Sequence, residues 1–85
     1  MPEISRFYGI VIEMFFNDHS PPHFHAEYQG AQAQYDIRTL KLRKGKLPKK
    51  AHNLIVEWAT EHQNELMRNW ELASQLKPIS KIEPL

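Results

Sequence analysis

Cysteine is absent from this chain, glycine occurs three times, and no apolar run approaches the length of a membrane span. The first absence excludes disulfides, thiolate metal sites and cysteine nucleophiles. It leaves a chain of 85 residues to stabilise itself by other means, and a domain of that size is marginal on core burial alone. A metal, a partner subunit or self-association would supply the remainder. With no long apolar run and no charged-then-apolar signal segment, we expect no membrane span and a cytoplasmic protein. Repeats and low-complexity tracts are lacking, and the length fits one domain over 1–85. Acid is missing locally as well. Arg38, Lys41, Arg43, Lys44, Lys46, Lys49 and Lys50 are seven of the eleven basic residues, with no acid among them. Glu57, Glu61, Glu65 and Glu71 then follow against Arg68 alone.

What is present reads as strands followed by helix. Residues 9–16 are β-branched and aromatic, with Ile10, Ile12, Met14 and Phe16 on one parity, which predicts a strand. Residues 17–22 carry Asn-Asp, Ser and two prolines, the chemistry of a loop. Residues 23–28 predict a second strand, ended by a tight turn at Gln29-Gly30. Residues 31–37 alternate again, with Ala31, Ala33, Tyr35 and Ile37 inward. At Leu40 and Leu42 the apolar parity changes, which asks for a turn or bulge around Arg38-Thr39 before a short strand over 40–43. Residues 1–8 are too short a segment to type.

From Lys49 to Lys77 there is neither Gly nor Pro. Ala51, Leu54, Ile55, Trp58, Ala59, His62, Leu66, Trp70 and Ala73 trace one stripe at helical period. An unbroken helix over 48–76 would be roughly 44 Å long, whereas a compact chain of this size is roughly 31 Å across. Either the helix breaks near 62–64, or Leu66 and Trp70 pack on another chain. The expected architecture is therefore α+β: an antiparallel meander of three to four strands within 4–43, packed against a long or broken C-terminal helix over 48–76, with an extended tail over 77–85.

Three of the five histidines fall between residues 19 and 25. Alternation along a strand at 23–28 puts Phe24, Ala26 and Tyr28 toward the core and His23, His25 and Glu27 on the second face. Zinc and other divalent transition metals accept imidazole nitrogen and carboxylate oxygen, so His23, His25 and Glu27 form a candidate site, with His19 or Asp18 completing it from the loop. The alternative is the solvent side of an amphipathic strand, or an ordered turn in which His19 and His25 satisfy local polar groups. A metal-independent ribonuclease is a further reading, with His23 and His25 as acid and base and Arg6, Arg38 or Lys41 on the developing charge. His62, amid Trp58, Ile55 and Leu66, reads as a hydrogen-bonded core imidazole, and Trp58 and Trp70 as core or interface anchors. Ser5 and Ser20 sit in no nucleophile context.

Ile4-Ser5-Arg6-Phe7-Tyr8-Gly9-Ile10, Asp18-His19 with Pro21-Pro22-His23-Phe24-His25-Ala26, and Trp58-Ala59 with His62, Leu66 and Asn69-Trp70 resemble the bacterial domain-of-unknown-function family 4160. The resemblance spans nearly the whole chain. It implies a small bacterial protein, often encoded beside a second small protein of family 2442, an arrangement similar to toxin–antitoxin modules. The chain departs from that pattern over 41–50, where lysines stand in place of acidic residues, so the basic segment carries no function common to the family.

The expectation is a protein-associating component of a two-gene, toxin–antitoxin-like module with a histidine-rich site. Its partner would be a second copy or the neighbour-encoded protein, with Leu66 and Trp70 at the interface. The competing class is a metal-binding or metal-dependent hydrolase-type protein using His23, His25 and Glu27. The basic stretch Arg38, Lys41, Arg43, Lys44 and Lys46 could neutralise phosphates. Lacking any stacking or helix–turn–helix pattern, it reads first as a guarded sheet edge or a face for an acidic protein.

Overall fold

A computed structural model describes residues 3–85. Five strands form one antiparallel meander in the order β1 (Glu3–Phe7), β2 (Ile10–Glu13), β3 (His23–Tyr28), β4 (Ala31–Asp36) and β5 (Leu42–Gly45). Two helices follow, α1 (Lys49–Glu61) and α2 (Gln63–Ser74). The architecture is α+β, with five strands where three or four were expected. The additional strand is β1, in the segment too short to type, and it pairs with β2 across the two-residue turn at Tyr8-Gly9. The strand expected over 9–16 stops at Glu13, because Phe15 to Asp18 must turn the chain toward the Pro-Pro loop. At Gln29-Gly30 both residues have left-handed φ, 50° and 84°, the geometry that matches the twist of a two-residue hairpin.

The parity change after Ile37 is resolved by a turn. Asp36 Oδ1 accepts hydrogen bonds from the backbone N–H of Arg38 and Thr39, at 2.7 and 3.0 Å, and Leu40 takes φ 60°. The last strand consequently begins at Leu42 rather than at residue 40.

One face of the sheet carries Phe7, Ile10, Ile12, Phe24, Ala26, Ala33 and Tyr35, all buried. Helix α1 covers that face through Trp58, whose ring centroid lies 5.3 Å from Phe7 and 5.9 Å from Phe24. Burying a side chain of that size contributes several kcal/mol (~3–5 by truncation). The helical stripe breaks at His62, which has φ −123°. Principal extents of 33 × 23 × 22 Å leave no room for one straight helix over 48–76. The break lets α2 fold back over the end of the sheet. There the Asn17 N–H donates to the Ala73 carbonyl at 3.1 Å, and Gln63 Nε2 donates to the carbonyls of Ile37 and Arg38. Leu66 and Trp70, expected at an interface with another chain, are instead 0% and 8% exposed within this one. The tail also returns to the body. Ile82 N–H donates to the Ile4 carbonyl at 2.8 Å, Trp58 Nε1 to the Glu83 carbonyl, and Asn69 brackets Ser80.

Candidate metal centre at the start of β3

Strand alternation delivers half of the expected row. Phe24 and Ala26 point into the core and His25 and Glu27 lie on the open face. His23 belongs to the same parity, but it begins the strand under α2 and is 4% exposed, its ring 5.2 Å from Trp70. The ring of His25 lies 5.1 Å from that of His23, and its centroid lies 4.4 Å from that of Phe15, the two rings crossing at 81°.

Asp18 joins the two imidazoles. Its Oδ2 lies 3.0 Å from His23 Nε2 and 3.1 Å from His25 Nε2, and its Oδ1 accepts the His19 backbone N–H at 2.8 Å. The ligating atoms of Asp18, His23 and His25 all fall within 4.8 Å of one another. Glu27, expected in the set, stands farther along β3 opposite Val11 and Gln32, outside that cluster. The imidazole of His19 is outside it too; only its backbone contributes, and the residue is exposed. Arg6 is on β1, two strands from His25, and forks onto Glu3 with contacts of 2.7 and 3.2 Å. Arg38 and Lys41 lie in and after the turn that follows β4, and both are exposed.

The hydrogen bonding of His23 sets its chemistry. Nδ1 faces the Pro21 carbonyl at 2.8 Å, and a carbonyl only accepts, so Nδ1 carries the hydrogen. Nε2 is then either a bare lone pair or the second N–H of an imidazolium. A bare lone pair cannot rest 3.0 Å from a carboxylate oxygen unless a cation lies between them. With Asp18 ionised, two arrangements satisfy the contact: an imidazolium paired with Asp18, or an ion shared by Asp18, His23 and His25. Ligands about 2.0–2.2 Å from one ion stand roughly 2.9–3.5 Å apart at tetrahedral or octahedral angles, which brackets both contacts to Asp18.

Asp18 sits among opposed influences. Partial burial raises its pKa. The hydrogen bonds from His25 and the His19 amide, with the charges of His23 and His25, outweigh burial and hold the carboxyl below its ordinary value.

Several features escaped the sequence reading. The Pro21 carbonyl is a backbone group with no signature of its own. The Tyr35 hydroxyl lies 2.8 Å from His52 Nδ1, a pair that joins β4 to α1 across 17 residues. His62 is hydrogen-bonded and beside Trp58 as expected, but it lies at the core's margin rather than within it: it is partly buried and its Nδ1 meets the exposed carboxylate of Glu65 at 2.6 Å. Ser5 is buried, with no hydrogen-bond partner for its hydroxyl among the described residues.

No helix of the described residues is long and apolar enough to cross a membrane. Neither the curated proteins nor the solved structures offer a match to this chain. A family model does match, over residues 9–71, a span that takes in β2 to β5, the Asp18–His23–His25 cluster, all of α1 and most of α2. The chain belongs to the domain of unknown function family DUF4160.

Proposed function

We propose that this chain is a divalent-metal-binding module in which Asp18, His23 and His25 hold one ion. The observation that carries the reading is the Pro21 carbonyl bonded to His23 Nδ1, which turns the opposite nitrogen toward Asp18 Oδ2. A second-shell carbonyl of this kind commonly fixes the tautomer of a metal-ligating histidine. Two imidazoles and one carboxylate suit zinc or iron and leave positions free for water or a substrate oxygen. Asp18 and His25 side chains are each 22% exposed, so those positions face solvent.

The test is metal content of untagged protein, followed by melts with and without chelator. A metal present at a hundredfold excess over its Kd stabilises the folded chain by about 2.7 kcal/mol, roughly 10 °C or more in Tm at this size. Asp18→Asn, His23→Gln and His25→Gln should each lose both the metal and the chelator effect, while Glu27→Gln and His19→Gln keep them. Protein that takes up no zinc, iron or manganese would make the cluster an imidazolium–carboxylate lock instead.

The metal-independent ribonuclease reading gains little from this geometry. His23 is buried and committed through Nδ1, and Arg6 is bonded to Glu3 within β1, two strands from β3. Action through association with a second protein, as in a toxin–antitoxin-like pair, keeps a separate support. That support is the exposed basic edge of the sheet at β5.

A further inference from the structure

The two edges of the sheet are treated differently by the chain. At β1 the C-terminal tail lies alongside, with Ile82 bonded to the Ile4 carbonyl, so that edge is partly occupied. At β5 no strand among the described residues pairs with the outer side. All four residues of β5 are exposed, and Leu42 leaves 41% of its surface in water.

The charge at this edge is of one sign. Lys41, Arg43, Lys44 and Lys46 line or flank the strand, and Lys49 and Lys50 continue the strip onto the first turn of α1. That turn holds no acidic residue, although the partial positive charge of a helix N-terminus disfavours cations there. The sides of β5 are also distinct. Leu42 pairs with core-facing Tyr35, whereas Lys44 pairs with Gln34 on the open face and Arg43 Nη1 donates to Gln34 Oε1 at 3.2 Å. The irregularity between Gln34 and Tyr35 brings both cations to that face.

We propose that the outer edge of β5 docks an extended acidic segment of a second protein. The segment adds to the sheet as a further strand, with carboxylates opposite Arg43 and Lys44 and an apolar side chain beside Leu42. Strand addition of this kind draws affinity from main-chain hydrogen bonds and selectivity from alternate side chains. A second copy of this chain is the wrong occupant, because pairing β5 with itself in either direction sets like charges side by side. The chain's own tail is already engaged at β1 and α1. Because β5 lies outside the metal cluster, the proposal stands apart from the metal reading.

The test titrates the full chain with a short blocked peptide alternating glutamate and valine, following β5 backbone amides by NMR. Binding should perturb those amides and weaken with added salt. It should fall roughly tenfold or more when alternate peptide nitrogens on one edge are methylated, since this removes main-chain bonds and keeps the charge. The double variant Arg43→Glu with Lys44→Glu should weaken it by a similar factor, about tenfold, and a lysine–valine peptide should not bind. Equal binding of the methylated peptide would reduce the site to unspecific charge and overturn strand addition. So would tighter binding of an oligouridylate at the same salt, which would make the strip a nucleic-acid surface.

Discussion

At the scale of single residues, this fold depends on a few positions where backbone geometry admits one side chain. Gly45 ends β5 with φ 79°, and a Cβ built there would run into the Gln32 carbonyl and approach the Ala33 Cα to 2.9 Å. Both obstacles are backbone in a paired strand, so neither can rotate aside. Gly45→Ala should therefore cost about 2–4 kcal/mol, more than the conformational penalty alone. Urea denaturation followed by tryptophan fluorescence measures it, and a loss below roughly 1 kcal/mol would show that β5 shifts away without harm to the sheet. The metal cluster is equally local in its requirements. Asp18, from a loop, is brought to His23 and His25 through bonds to its own neighbours: the His19 amide on Oδ1 and the Pro21 carbonyl behind His23. Periodicity along β3 singled out the two histidines. It also nominated Glu27, since strand alternation assigns a face but not a depth along it. Asp18 was named only as a possible completion, because loop geometry has no period to read.

Among the elements, those with a strong internal period were legible and those held by tertiary contacts were not. Strands β3 and β4 fall at or within a residue of the alternation in the sequence, and the Asp36 turn lies where the apolar parity changed. Strand β1 was invisible because only pairing with β2 makes Glu3–Phe7 a strand. The tail was legible as extended, but its attachment was not: Ile79 and Ile82, set among prolines and lysines, show no strand or helix period. Yet Ile82 is 4% exposed and belongs to the core, and the neighbouring Glu83 carbonyl accepts the Trp58 indole N–H at 2.8 Å. The tail thus acts as a strap across β1 and both helices. Ile82→Ala should destabilise by about 2–4 kcal/mol, as for other buried large-to-small changes, and shift Trp58 emission toward the red. A thermal melt within about 2 °C of the parent would mean that the strap contributes no packing.

For the molecule as a whole, size decided the helical half. A radius of gyration of 11.5 Å cannot contain a straight helix over 48–76, so the stripe had to break or leave the body, and it breaks at His62. Two groups make stability depend on pH, Tyr35 through burial and Asp18 through its bonds to neighbouring groups. Tyr35 is 1% exposed, and burial pushes its hydroxyl up to about 12 from the ordinary 10.0. Below pH 10 the phenol is protonated in both folded and unfolded chains. Between pH 10 and 12 the unfolded chain releases that proton while the folded chain keeps it, so stability falls with rising pH, by about 3 kcal/mol over the interval. Asp18 contributes to the opposite limb. Its folded pKa is depressed, so its contribution is complete above the ordinary carboxylate range and is lost as the pH falls through the lowered value. Chemical denaturation across pH should give a plateau bounded by both limbs. Tyr35→Phe should lower the plateau by roughly 1 kcal/mol, for the lost bond to His52, and flatten the alkaline limb alone. Asp18→Asn, measured in chelator so that metal loss does not enter, should flatten the acid limb and leave the alkaline limb unchanged. An alkaline slope that survives Tyr35→Phe unchanged would assign that limb to other groups and show that the β4–α1 junction tolerates a phenolate.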